Sequence, residues 1–381
     1  MLGGAVPWTV ETIEEQRLEF CVEAQADAVS FVELCRRFGI SPKTGYKWLA
    51  RFEAAGPDGL ADLSRRPRRS PSRTVEAMED MVCELRREHP SWGGRKISRR
   101  LKDQGEVGVP APSTITDILR RRDLLNPVEA HYGGFVSFEA EHPNDMWQMD
   151  YKGWFNTTNS GQCHPFDVLD DHSRYNLCLF AARDETESPV KAQLGEAFNR
   201  YGLPLAILCD NGPPWGSTGS RSGVTRLGVW LVDLGIKVVH SRPRHPQTLG
   251  KEERFHRTLK LEVLSRRPTW ENHSQVQIAF DQWRTVYNHQ RPHDSLKGDT
   301  PATRYRPSPR SMPARIEPPD YPNDYHVRKV SSDARVHFMG NRYRIGKPFV
   351  GCNIAFVPTT TDGTYNILYR HHHIGSINLT Q

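Results

Sequence analysis

The sequence predicts a multidomain chain: an all-α N-terminal third with helix-turn-helix units, a central α/β domain, and a small all-β barrel at the C-terminus. Three observations carry this. Before residue 125, apolar residues recur at helical spacing, with capping residues between the runs. From about residue 142, runs rich in aromatic and β-branched residues alternate with helical ones, the grammar of an α/β fold. After a proline-rich stretch, short strands recur at even spacing with turns at Gly340-Asn341, Gly351 and Asp362-Gly363, the pattern of a small barrel.

Composition narrows the function classes. The 381 residues, 37% hydrophobic and 25% charged, suit two or three domains with a real core. No apolar run approaches the ~18 residues of a membrane helix. The opening MLGGAVPWTVETIEEQ lacks the basic start and apolar core of a signal peptide. Cys21, Cys35, Cys83, Cys163, Cys178, Cys209 and Cys352 include no C-x-x-C pair, which argues against a disulfide framework or a zinc finger. A reducing, cytoplasmic setting without membrane contact is expected. The net charge of +6 is uneven: residues 237–268 hold nine Lys/Arg against Glu252, Glu253 and Glu262, and residues 63–75 hold five arginines and no acid. Such clusters suit a polyanion, most plausibly nucleic acid, although solubilising surface has the same composition.

Residues 1–61 form the first helical unit. In SFVELCRRFGISPKTGYKWLARF the first run ends at Gly39, Ser41 offers an N-cap hydroxyl, and Pro42 takes the first helical position, where no N–H is needed. Two helices joined by a short Gly-containing turn make a helix-turn-helix. Leu34, Phe38, Ile40, Trp48, Leu49 and Phe52 would pack its core. Lys43, Thr44 and Lys47 fall near the start of the second helix, the part such motifs set in a major groove. A plain helical hairpin has the same pattern. Residues 62–73 cannot bury a core, and Arg65, Arg66, Arg68 and Arg69 make them a basic linker suited to phosphates or a minor groove, although a solvated tether has the same composition.

Residues 74–130 form a second helical unit. Val75, Met78, Val82 and Leu85 share one helix face, HPSWGG breaks that helix, and RKISRRLKD restarts it. Ser113 is the expected N-cap of a third helix, with Ile115, Ile118 and Leu119 on its apolar face. This predicts a second helix-turn-helix or winged-helix unit, with Ser113 and Thr114 placed to meet DNA.

Residues 140–305 make the central domain. DMWQMDYKGWF and HPFDVLDDHSRYNLCLFAAR read as strands, ESPVKAQLGEAFNRYG as a helix, and LAILCDNG as a short buried strand. VTRLGVWLVDLG is helical, KVVHSRP a strand, HPQTLGKEERFHRTLK opens a helix, and WENHSQVQIAFDQWRTVYNHQRPHDSL is a long helix with an irregular end. Trp147, Tyr151, Trp154 and Phe155 read as core, not as a platform for base stacking. Residues 306–324 are a proline-rich linker, and residues 325–381 form the barrel, with seven Lys/Arg against Asp333 and Asp362. His371, His372 and His373 lie on a strand whose neighbours alternate sides, so they read as surface or DNA-facing rather than as metal ligands.

Three acids carry the chemistry. Asp150 sits in a strand otherwise built of Trp, Met and Tyr, where a carboxylate is costly to bury unless it binds something. Asp210 follows LAILC at the carboxyl end of a strand, where open α/β sheets place ligand sites. On the helix after Gly250, Phe255, Leu259 and Val263 form the apolar stripe, Glu252 points toward its side, and Glu253, Arg257 and Lys260 share the opposite face. An ordinary Glu253–Arg257 helix pair is the competing account. Three converging carboxylates repel unless cations neutralise them. Oxygen donors suit two Mg²⁺ or Mn²⁺ ions, ~3.5–4 Å apart, across a phosphodiester.

WQMDYKGWF, LCDNG, HPQTLGKEERFHRTLK and YNHQRPHDSLKGDTPATRY resemble the core of DDE transposases of the retroviral-integrase type found in bacterial insertion sequences. The resemblance covers about residues 140–305 through three motifs in order and a trailing YNxxRPH; the flanking regions are similar more loosely. It implies an RNase H-like integrase core and two-metal chemistry, with Mg²⁺ (or Mn²⁺) as cofactor. Asp150 and Asp210 match the first and second acids, and Glu253, three residues after Gly250, matches the third. Asn211, Gln247, Lys251, Arg254, Arg257 and Lys260 fall among the motif positions expected at DNA. The implied partners are double-stranded DNA, as terminal inverted repeats and target, and further copies of the chain in a dimer or tetramer; the implied place is the bacterial nucleoid. The Asp210–Glu253 spacing exceeds the family's usual one, with the excess in GPPWGSTGSRSGVTRLG, and no His/Cys zinc unit occurs. Asp170 and Asp171 compete as acids and read as strand-end residues bordering the site. A DNA-binding regulator, or a domesticated inactive transposase, would keep the binding units without the chemistry.

Overall fold

The computed structural model describes residues 12–62, 74–125, 139–216, 224–241 and 250–379. It divides into two compact units, residues 1–73 and 74–381.

The first unit is helical: α1 (Ile13–Gln25), α2 (Phe31–Arg37) and α3 (Pro42–Ala55), closed by a 3₁₀ turn at Gly56–Leu60. Thr12 and Glu15 form a capping box at α1, and Ser30 and Ser41 cap α2 and α3 through their hydroxyls. Gly39, at φ +63, makes the turn between α2 and α3. Phe20, Cys21, Leu34, Cys35, Trp48 and Leu60 are buried together, with Phe38, Ile40 and Phe52 packed against them. Gly45 lets α3 close on α2, because a Cβ there would lie 2.6 Å from Cys35 Sγ. Lys43 and Lys47 are exposed on α3; Thr44 is half-buried, and its N–H donates to the Ser41 hydroxyl. Arg65, Arg66, Arg68 and Arg69 lie outside the described residues.

The second unit begins with α4 (Glu76–Glu88), α5 (Gly94–Asp103) and α6 (Pro112–Arg121), and residues 74–125 contain no strand. Met78, Val82, Leu85, Trp92, Ile97, Leu101, Ile115, Ile118 and Leu119 are buried among them. Two sequence expectations are corrected. Val75 is 70% exposed, because it precedes α4 as its N-cap residue instead of lying on its buried face. Ala111, not Ser113, caps α6, because Pro112 takes the first helical position and moves Ser113 into the first turn.

The central sheet follows from alternation. β1 (Met146–Tyr151) lies between β3 (Gly161–Asp170), antiparallel, and β5 (Ala206–Cys209), parallel. β4 (Asn176–Ala182) and the short β2 (Phe155–Thr157) pair with β3, and β6 (Lys237–His240) runs parallel to β5. Successive side chains face opposite sides. Trp147, Met149, Phe166 and Val168 therefore pack on α7 (Glu187–Tyr201) and α8 (Arg226–Asp233). Cys163, Leu169, Leu179 and Ala181 pack on α9 (Gly250–Glu262) and α10 (His273–His289). Helices thus cover both faces of a mixed sheet, the RNase H-like layout expected. α11 (Pro301–Arg304) ends this region.

The proline-rich residues 306–324 run along the central domain. Ser308 N–H donates to Tyr201 O at 2.8 Å, Arg310 reaches the carbonyls of Leu234 (3.1 Å) and Gly235 (3.0 Å), and Met312 and Ile316 lie on the core. The C-terminal strands are all antiparallel. β7 (His326–Lys329), β10 (Asn353–Pro358), β11 (Thr364–Tyr369) and β12 (His372–Asn378) form one sheet, and β8 (Arg335–Phe338) with β9 (Asn341–Arg344) a hairpin. Their apolar side packs on Val224, Val229 and Val232 at α8, where Asp233 accepts from Tyr369 (2.6 Å) and Arg370 (2.7 Å). His372 is half-buried and His373 contacts the Ser376 hydroxyl at 3.1 Å. Among the described residues no helix is long and apolar enough to cross a membrane.

Candidate acid site and nucleic-acid surface

Strand register brings the two aspartates together. β1 and β5 run parallel with Gln148 opposite Leu208, so Asp150 and Asp210, each two residues further, leave the sheet at one level. Asp150 accepts the N–H of Tyr151 at 2.8 Å. Burial pushes its carboxyl up to about 6; the Asp210 charge adds to this, while His256 and the Tyr151 N–H oppose it. Asp210 is held by the Gly212 N–H at 3.0 Å and by the Trp215 indole N–H. Trp215 itself stacks on Tyr151 and Phe166. Asn211 donates to Ser241 O at 2.7 Å, and His240 Nδ1 lies 2.9 Å from Asp210 O, so β6 braces the second acid.

The helix α9 separates its two glutamates. Glu253, Arg254, Arg257 and Lys260 are exposed, while Glu252 is fully buried beside Phe255 and Leu259. Both glutamates lie in the first turn, where the N-terminal end of the helix dipole favours negative charge. Electrostatically, His256 links them: it feels Glu252, Asp150 and Glu253. Gln247 lies outside the described residues. Lys251 turns inward, its ammonium 2.5 Å from the buried Asp171 carboxylate. Ser113 and Thr114 are exposed on α6.

Beneath Asp150 lies a cluster the sequence reading did not single out. Asp167 stands directly opposite Asp150 in the β1–β3 ladder. Its Oδ2 accepts from His256 Nε2 at 2.6 Å. Asp167, Glu252 and His256 present ligand atoms within 4.8 Å of one another; among the described residues no other three acidic, His or Cys groups converge so closely, Asp150, Asp210 and Glu253 included. No N–H or O–H of a described residue reaches either Glu252 oxygen. Burial first, and the Asp167 charge next, push Glu252 well above the usual carboxylate range. Burial does the same to Asp167, against a lowering contact from Glu252. Both carboxyls are therefore held toward the neutral form, as burial without a cation beside them requires. The available signal was Glu252 on the apolar stripe and Asp167 on the β3 face that carries Cys163 and Leu169.

Asp170 and Asp171 are satisfied where they stand. Asp170 accepts from Asn144 N (2.7 Å), Ser173 N (2.8 Å) and Ser173 Oγ (2.5 Å). Asp171 accepts from Ala140 N (2.7 Å) and Gln148 Nε2 (2.5 Å), besides Lys251. Both tie the segment before β1 to the β3–β4 turn. Trp154 differs from expectation: it is 58% exposed, because it sits in the turn between β1 and β2 instead of on a core strand. Nearby Lys152 is held below its ordinary range by burial and by the positive charge of Lys260.

The donor set fits a hard divalent cation. Asp150 and Asp210 offer only carboxylate oxygens, and the burial that raises Asp150, with the smaller push from the Asp210 charge, is a cost that a bound cation offsets.

Comparison with known proteins agrees with the layout. Integrase core domain models match residues 140–246 and 234–301. A helix-turn-helix domain model matches residues 16–68, a homeodomain-like model residues 44–119, and the C-terminal domain model of IS481 family transposases residues 325–381. The chain is 27% identical over 241 residues to the insertion element IS476 39.2 kDa protein of Xanthomonas euvesicatoria, covering 63% of each. It is 26% identical over 169 residues to the Gag-Pol polyprotein of feline leukemia virus, covering 42% of this chain and 9% of the polyprotein. The HTLV-2 integrase catalytic core domain in complex with magnesium is 18% identical, covering 44% of this chain and all of that one, at a TM-score of 0.34. The chain thus spans under two thirds of the curated relatives it matches. Integrase-core, helix-turn-helix and insertion-element C-terminal domains thus follow one another along the chain, an arrangement that supports its likeness to DDE transposases of the retroviral-integrase type.

Proposed function

We propose that the chain binds the terminal inverted repeats of its mobile element, cuts their 3′ ends, and joins them to target DNA. The observation that carries this is the pairing of Asp150 and Asp210 at the carboxyl ends of adjacent parallel strands, with Glu253 three residues past Gly250 on α9. Asp150, Asp210 and Glu253 would hold two Mg²⁺ or Mn²⁺ ions, which supply Lewis-acid activation of water, or of a 3′-OH, and stabilise the leaving oxygen. The chain's own residues bind and orient the DNA. Arg257 and Lys260, exposed on the Glu253 face of α9, take phosphates beside the scissile one. Asn211 is fixed on Ser241 O and holds the turn after Asp210 in place. Lys43, Thr44 and Lys47 at the head of α3, and Ser113 and Thr114 on α6, read the element ends. Arg65, Arg66, Arg68 and Arg69 add phosphate or minor-groove contacts between the helical units. Lys251 serves indirectly, its ion pair with Asp171 pinning the start of α9 to β3. Two or four copies would bring both element ends together.

Metal-dependent nicking of duplexes carrying the DNA that borders the gene tests the proposal. Asp150→Asn, Asp210→Asn and Glu253→Gln should abolish nicking and joining while leaving end-binding intact. Nicking retained in Glu253→Gln but lost in Glu252→Gln would move the third acid to Glu252. No nicking by the unaltered chain, with binding intact, would favour a regulator that has lost the chemistry.

A further inference from the structure

A groove of about 520 Å³ opens beside the acid site. One wall is the turn from β1 into β2, with Lys152, Trp154 and Phe155; the other is the end of α9 and the chain after it, with Lys260, Arg267 and Trp270. Lys152 lies two residues beyond Asp150, ~7 Å along a strand. Lys260 lies seven residues beyond Glu253 on the same helix face, ~10 Å along it. Both walls are therefore continuations of the elements that carry acids, and the groove sits within a few nucleotides of them at ~3.4 Å per nucleotide.

The lining is selective. Three cations face the groove and no Asp or Glu does. Trp154 is 58% exposed at its rim, whereas Trp270 is buried with Arg267 5.4 Å above its ring. Cations tracking a backbone together with an open aromatic face are what single-stranded nucleic acid recognises. Inside a duplex both faces of a paired base are stacked on neighbours, so an unpaired base is the one free to lie flat on Trp154. We propose that this groove binds an unpaired nucleotide of the DNA strand passing through the acid site, its base stacked on Trp154 and its flanking phosphates on Lys152, Lys260 and Arg267. The identification of that strand rests on the transposase reading; the groove's preference for unpaired DNA does not.

The test uses the full chain in EDTA, so that binding is read without chemistry. Affinities are measured at fixed salt for an oligothymidylate of about 15 nucleotides and for a blunt duplex of similar length. Trp154→Ala should weaken the single strand about tenfold or more, Trp154→Phe should restore most of that, and the duplex should change less than about twofold. An oligonucleotide bearing 5-iodouracil should cross-link to the peptide that contains Trp154. Unchanged single-strand binding in Trp154→Ala, an equal loss for strand and duplex, or a cross-link confined to other peptides would each overturn the proposal. Failure to nick with single-strand binding intact would sink the transposase reading and leave the groove standing; nicking without Trp154-dependent binding would do the reverse.

Discussion

Replacing Asp150 with Asn should abolish catalysis and, without metal, stabilise the fold. The carboxyl is raised from 3.8 to about 6. A raised folded-state value means the folded chain binds more protons than the unfolded one between these pH values, so stability falls as pH rises through the interval. At ~1.4 kcal/mol per unit, ionised Asp150 costs about 3 kcal/mol at pH 8 and about half that at pH 5. Asn keeps an oxygen for the Tyr151 N–H and removes the charge. Asp150→Asn in EDTA should therefore unfold about 5 °C higher than the unaltered chain at pH 8, and the gap should narrow toward pH 5. Mg²⁺ should raise the unfolding temperature of the unaltered chain and leave the variant nearly unmoved. Scanning calorimetry at the two pH values, with and without Mg²⁺, reads all four numbers. A variant less stable than the unaltered chain at pH 8, or one stabilised equally by Mg²⁺, would refute the claim that the Asp150 charge is uncompensated and metal-seeking.

Three further outcomes follow from the same geometry. Because a cation needs the ionised carboxylate, Mg²⁺-dependent nicking should fall about tenfold per pH unit below about 6 and flatten above it; a rate flat down to pH 5 would contradict the assignment of Asp150. Because burial pushes Glu252 well above the usual carboxylate range, Glu252→Gln should raise the urea midpoint at pH 8 relative to the unaltered chain; a lowered midpoint would mean that the folded chain favours the Glu252 charge. Glu262 is buried, accepting from Ser91 (2.7 Å), Trp283 (2.9 Å) and Arg291 (3.0 Å); Arg291→Ala should cost ~3–5 kcal/mol by urea unfolding, and a loss under ~1 kcal/mol would show the pair to be solvated.

Much of the fold was legible because it rests on local rules. The Ser41-Pro42 start of α3, the strand ending at Cys209 and the apolar stripe of α9 each follow from capping, burial or periodicity within a few residues. What was not legible depended on register between distant strands. Nothing near Asp167 in sequence says that it stands opposite Asp150, or that His256 on α9 will meet it. Trp154 misled for a related reason: its aromatic neighbours matched a core strand, but Gly153, at φ +87, turns the chain before it. The inward turn of Lys251 was equally hidden, since its partner Asp171 lies 80 positions away.

The two adjacent glutamates of α9 make one argument. Exchanging their places would require rotating the helix by ~100°, which would lift Phe255 and Leu259 out of the core they share with Phe280 and Trp283. At ~1.5–3 kcal/mol for each buried side chain, that loss exceeds the few tenths of a kcal/mol that any exposed helix ion pair could return. The apolar stripe therefore fixes which glutamate is sealed, and the sealed one must find a partner that tolerates it. Asp167 lies beside it, likewise pushed toward its neutral form by burial, and His256 contacts Asp167 at 2.6 Å. Glu253 is left outside with Arg257 and Lys260, exposed on α9.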